Sequence, residues 1–141
     1  LRLVGSEMCI RDRKEVIRLL NERKNQIYAV RGNCEAEVDQ MVLDFPVMAD
    51  YCILAIEGKT MYATHGHIYN KDNLPPMMDG DILIHGHTHV LKAENMGNYI
   101  LLNPGSVSIP KEGNPPTYAI LENGIFTIKD FEGNTVREIT L

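Results

Sequence analysis

All five histidines of this 141-residue chain fall in two short stretches. Thr64-His65-Gly66-His67 follows the apolar run Met61-Tyr62-Ala63, and His85-Gly86-His87-Thr88-His89 follows Ile82-Leu83-Ile84. Imidazole used only for packing has no reason to gather at the ends of two apolar runs. Imidazole that binds a first-row divalent cation has one, with metal–nitrogen distances of roughly 2.0–2.1 Å for zinc. In an extended chain, residues i and i+2 point to the same side. His65 with His67, and His87 with His89, are therefore expected to converge, and Gly66 and Gly86 remove side chains that would crowd the cluster. Asn33, in Arg31-Gly32-Asn33-Cys34-Glu35, adds a neutral oxygen at the end of a third apolar run. Histidine with oxygen ligands and no thiolate suits manganese, iron, nickel or zinc better than copper(I). Two such ions about 3.5–4 Å apart could clamp a phosphoryl group and generate hydroxide for in-line attack.

Each piece alone has an ordinary alternative. Gly32-Asn33 is a common turn, and a single His-Gly-His is weak evidence for ligation. His67 and His85 are polar loop residues or substrate contacts. Cys34 has no base beside it, and Lys111 and Arg31 either meet phosphate or are solvated.

The surrounding pattern supplies elements able to position these residues. Val16, Ile17, Leu19 and Leu20 mark one helix face, with Asn25 as its end. Gln26–Val30 is expected to be a short buried strand, followed by a helix over Glu35–Leu43 with Val38, Met41 and Val42 inward. Tyr51–Ile56 and Thr60–Thr64 flank Glu57-Gly58-Lys59 as a hairpin. Asn73–Met78 is a short helical segment broken by prolines. Asp81–Ile84 and Asn98–Leu102 are strands. Thr117–Leu121 and Ile125–Asp130 form a second hairpin, because Asn123-Gly124 favours a two-residue turn, and Thr135–Leu141 is a last strand. Helices alternating with strands early, and strands alone later, predict a layered α/β sandwich.

Composition sets the bounds. The length fits one domain. A net charge of −5 argues against a broad nucleic-acid surface, though not against a phosphorylated substrate, since bound cations can dominate the local field. Three scattered cysteines form no Cys-x-x-Cys pair, which fits a reducing, cytoplasmic setting better than a disulfide framework. No apolar run is long enough to span a membrane.

In order, Gly32-Asn33-Cys34-Glu35, Thr64-His65-Gly66-His67 and Gly86-His87-Thr88-His89 resemble the calcineurin-like metallophosphoesterases. The small bacterial manganese-dependent phosphodiesterase branch is most similar, through Glu37-Val38-Asp39-Gln40, Asn73-Leu74-Pro75 and Asn103-Pro104-Gly105-Ser106-Val107-Ser108-Ile109-Pro110. The resemblance implies an αββα sandwich. It implies Asn33, His65 and His87 as ligands of a second metal and His89 as a ligand of the first, and a phosphate contact at Asn33. Cys34 stands where many members carry a histidine that protonates the leaving group. The family's opening strands end in Asp-x-His and in Gly-Asp, and neither pattern stands ahead of Lys14. The sandwich is therefore expected to be incomplete at its N-terminus. Residues 1–13 would be an unmatched lead-in, disordered or foreign, and residues 14–141 a metallophosphoesterase domain lacking its first strands.

The function so implied is hydrolysis of a small phosphodiester by metal-activated water. The cofactor is a divalent metal, manganese first, with nickel, iron or zinc as alternatives and two ions per complete site. His65, His67 and Asn33 are the expected catalytic residues; Asn33, His65, His87 and His89 are the expected metal ligands. The alternatives are a catalytically impaired fragment, a scaffold of the same fold, or a storage site for one metal at Asn33, His65 and His87. An exposed sheet edge would favour a homo-oligomer.

Overall fold

The computed structural model describes Arg2–Leu3, as backbone, and residues 14–34 and 37–141. Its elements run β1 (Arg2–Leu3), α1 (Lys14–Asn21), a 3-10 turn (Lys24–Gln26), α2 (Glu37–Val42), β2 (Tyr51–Ile56), β3 (Lys59–Thr64), β4 (Ile82–His85), β5 (Lys92–Asn95), β6 (Ile100–Asn103), β7 (Thr117–Glu122), β8 (Ile125–Asp130) and β9 (Thr135–Thr140). Two sheets result, one ordered β2-β3-β4-β6-β5 and one ordered β1-β7-β8-β9. The fold is a mixed α/β sandwich. The expected lead-in over residues 1–13 lies outside the described residues, apart from the strand Arg2–Leu3, which pairs antiparallel with β7.

Both predicted hairpins form. Glu57 and Gly58 join β2 to β3 with φ of 51° and 80°, and Asn123 and Gly124 join β7 to β8 with φ of 51° and 73°. Paired left-handed residues give the turn whose twist matches two antiparallel strands. The inward residues of the two sheets then interdigitate. Met61, Ile82, Ile84, Ile100 and Leu102 from one sheet pack with Ala119, Leu121, Phe126 and Ile128 from the other. The outer face of the five-stranded sheet is covered by a smaller cluster of Tyr62, Leu83, Tyr99 and Leu101, with Tyr51 and Met77 against it.

The helical half departs from expectation. Gln26–Val30 is not a strand: no described strand pairs with it. Ile27 and Ala29 instead pack with Ile17, Leu20, Leu43, Phe45 and Val47, and Tyr28 is 75% exposed. The α1 helix ends at Asn21 rather than Asn25. On α2 the expected inward face is the outward one, with Met41 83% exposed and Asp39 buried. Gln40 decides this orientation. Its amide donates to the carbonyls of Leu43 and Phe45 and accepts from the Val47 N–H, tying the helix to the chain that follows it. Asn73–Met78 is irregular chain with a bridge from Asn73 to Asn70 and a bend at Pro76, rather than helix. Lys92–Asn95, with no alternating apolar pattern, becomes a strand through antiparallel pairing with the buried β6.

Candidate metal centre at the carboxyl edge of the parallel strands

Strands β3, β4 and β6 are adjacent and parallel, so their carboxyl ends open at one edge of the sheet. Thr64 pairs with His85, and Ile84 with Leu102. One step further, the Gly86 N–H donates to the His65 carbonyl at 2.9 Å. This register sets His65 beside Gly86, and His85 beside Asn103. The carboxyl edge of parallel strands is where open α/β sheets place ligands.

Each loop leaving this edge is held by its own side chains. The Thr64 hydroxyl donates to the Tyr69 carbonyl at 2.7 Å, and the Asn70 amide donates to the Gly66 carbonyl at 3.0 Å. In the second loop, His87 and His89 have φ of 61° and 60°, left-handed conformations that few non-glycine residues adopt. The extended conformation expected of His87–His89 is corrected, because the chain curls after His85, yet His89 still lies close enough to act electrostatically on His65 and His87. The rings gather both within the first loop, as expected of His65 and His67, and across the two loops. The ring centroids of His65 and His67 lie 4.9 Å apart, those of His65 and His87 5.0 Å, and those of His67 and His87 6.4 Å.

The environment disfavours the charged form of His65, His85 and His87. Burial, then the neighbouring His67, His87, His89 and His85, lowers the pKa of His65 from 6.5 to about 4. Burial lowers that of His85, as do His87 and Lys92 against an opposing hydrogen bond to Gly86. Burial first, then His67, His89 and Lys111, lowers that of His87. Imidazolium ions cannot share so small a volume, whereas neutral imidazole is the metal-binding form.

Hydrogen bonds constrain the tautomers. His89 Nδ1 lies 2.8 Å from the Ile109 carbonyl. A carbonyl only accepts, so Nδ1 carries a proton, and in the neutral ring Nε2 then has the lone pair, the arrangement common to metal-bound histidine. By the same reasoning His85 Nδ1 donates to the Gly86 carbonyl at 3.0 Å. His65 and His67 share a contact between Nδ1 atoms at 3.0 Å, one donating and the other accepting.

The donor chemistry suits a first-row divalent cation. Among the described residues, however, no group of three His, Cys, Asp or Glu side chains stands ready to hold a metal. His65, His67 and His87 are brought together. Asn33 is exposed in the bend after Gly32, and no described hydrogen bond joins it to the histidines. Asn103 is the residue that sequence reasoning passed over. In the sequence it stands only as the first residue of the phrase Asn103–Pro110, yet it is 2% exposed and its side chain reaches the histidine loop.

A model of the calcineurin-like phosphoesterase superfamily domain matches residues 8–124. The chain belongs to the calcineurin-like phosphoesterase superfamily. Among bacterial relatives, Phosphodiesterase YfcE of Escherichia coli K12 is 45% identical over 114 residues, covering 81% of this chain and 62% of YfcE. Probable metallophosphoesterase YsnB of Bacillus subtilis is 26% identical over 121 residues, covering 78% of this chain and 67% of YsnB. The solved structure of YfcE, described as a phosphoesterase, superposes with a TM-score of 0.86 at 40% identity, over 89% of this chain and 70% of that one. The two-sheet sandwich is thus the calcineurin-like fold, as the motifs implied. No helix among the described residues of this calcineurin-like chain is long and apolar enough to cross a membrane.

Proposed function

We propose that this calcineurin-like domain is a metal-dependent phosphodiesterase that hydrolyses a small phosphodiester with metal-activated water. The observation that carries this is the close cluster of His65, His67 and His87 at the carboxyl edge of parallel strands, in a chain 45% identical to a phosphodiesterase. His65, His87 and Asn33 would hold one divalent ion and His89 another, with manganese the first candidate and nickel, iron and zinc the others. A bound cation supplies polarisation of the phosphoryl oxygens and acidification of water. The protein's own part is orientation. Ile109 leaves His89 Nε2 free as a donor, burial keeps His65 unprotonated at neutral pH, and His67 stands next to His65 where it can donate to a phosphate oxygen. Asn33 would contact the same phosphate.

The free thiols of Cys34 and Cys52 support residence in the cytoplasm, because they suit a reducing compartment. A homo-oligomer would cover the exposed edge of β2.

The test is hydrolysis of bis(4-nitrophenyl) phosphate with manganese, beside His87→Ala and His65→Ala. A direct ligand should matter more than an outer partner, whose loss weakens metal sites by about 10–100-fold. Activity present in the wild type and reduced at least that far in both variants is expected. Manganese binding without turnover in the wild type would return the scaffold reading, and absence of both would overturn metal-dependent function.

A further inference from the structure

We propose that Asn103 is a positioning residue that sets the backbone of the histidine loop and thereby the donor geometry of His87. The proposal rests on the function just given only in what the loop is for; the coupling itself is structural. Asn103 ends β6, next to His85 at the end of β4. Its amide nitrogen donates to the Gly86 carbonyl at 3.0 Å and contacts the Thr88 hydroxyl at 3.0 Å, while its oxygen accepts from the Gly105 N–H at 2.9 Å. All the capacity of the amide facing these groups is used, and the orientation is dictated by its partners. Gly86 offers a carbonyl and Gly105 an N–H, so the reversed amide would oppose like groups at both.

The two groups that Asn103 grips flank His87. Gly86 and Thr88 are the residues immediately before and after it, and His87 adopts φ of 61°. A left-handed histidine persists only where its surroundings over-determine it. The Gly86 carbonyl receives a second donor, His85 Nδ1 at 3.0 Å, so the peptide entering His87 is held from both sides. Asn103 is itself braced by the second sheet. The Thr117 hydroxyl on β7 donates to the Pro104 carbonyl at 2.8 Å, and the Thr117 N–H donates to the Ser106 carbonyl at 2.9 Å. A path of hydrogen bonds therefore runs from β7 through the loop after β6 to the backbone of His87.

Asn103→Asp isolates the function of the amide nitrogen. It keeps the shape and the acceptor for Gly105 but replaces the donor with an oxygen facing the Gly86 carbonyl. Thr88→Val, at an exposed position, removes one partner without touching the buried residue. Three readouts are needed: the nuclear magnetic resonance signature of positive φ at His87 in the metal-free protein, the dissociation constant for manganese alone, and kcat against KM. Asn103→Asp is expected to lose the His87 signature, to weaken manganese by about 10–100-fold and to lower kcat more than it raises KM, with signals from β8 and β9 unmoved. Thr88→Val should shift the same readouts less far in the same direction. Retention of the His87 signature with manganese affinity within about twofold of wild type would overturn the proposal. If Asn103→Asp does not fold, an unmoved His87 in Thr88→Val overturns it equally. If the wild type binds manganese but does not turn over, the phosphodiesterase reading fails, while the signature and the affinity still decide the role of Asn103.

Discussion

The imidazoles of His65 and His87 stand 5.0 Å apart between ring centroids although they leave different strands. What permits this approach is Gly66, between His65 and His67. Its φ is 113°, and a β-carbon there would lie 2.9 Å from His85 Nδ1 and 3.0 Å from His87 Cβ. Gly66→Ala would thus meet a forbidden backbone conformation and two side chains of the neighbouring loop together. It should lower the free energy of unfolding by about 1–3 kcal/mol and weaken binding of divalent cations. Denaturant midpoints with a manganese titration check this, and an unchanged midpoint would exclude the close packing described.

Acid should destabilise the metal-free protein well above the carboxylate range. His65 titrates near 4 in the fold, against 6.5 for an ordinary histidine, chiefly through burial. The folded pKa is the lower one, so the unfolded chain binds the proton first as pH falls. The contribution is fully present above about pH 6.5, diminishes below it, and is lost as pH reaches about 4. Thermal unfolding followed across that window should show the midpoint falling, with a shallower slope in His65→Asn. Equal slopes for the two proteins would assign the effect elsewhere.

The contact between the two sheets should dominate stability. Phe126 is fully buried and packs among Met61, Ile82, Leu102 and Leu121. Phe126→Ala is expected to cost about 3–5 kcal/mol by emptying that space. Met41→Ala, on the exposed face of α2, should stay within about 0.5 kcal/mol of wild type. Comparable losses for the two variants in urea denaturation would contradict the placement of the core.

The two described free thiols should differ in reactivity. Cys34 is exposed, whereas Cys52 is half-buried in β2 and burial raises its pKa. Since the thiolate is the nucleophile, iodoacetamide at mildly alkaline pH should modify Cys34 first. Mass spectrometry of the digested protein reads the order, and faster labelling of Cys52 would show that β2 opens readily.

The sequence by itself determined the features that depend on near neighbours. Glu57-Gly58 and Asn123-Gly124 could be assigned to hairpin turns because two successive left-handed residues are a local demand. The grouping of all five histidines, and their order after Gly32-Asn33, was legible for the same reason and carried the family with it. Tertiary structure decided whatever needs a partner distant in the chain. Gln26–Val30 has strand composition but pairs with no strand among the described residues. Lys92–Asn95 has no strand pattern yet gains one from β6. Met41 looked inward by spacing alone, until Gln40 tied the helix round the other way. At the candidate site, spacing alone predicted the approach of His65 to His67, whose ring centroids lie 4.9 Å apart. The parallel register of β3, β4 and β6 also brought His65 to His87 across two loops, which spacing could not show. The same register placed Asn103 beside Gly86, a relation between residues 17 apart that only strand pairing creates.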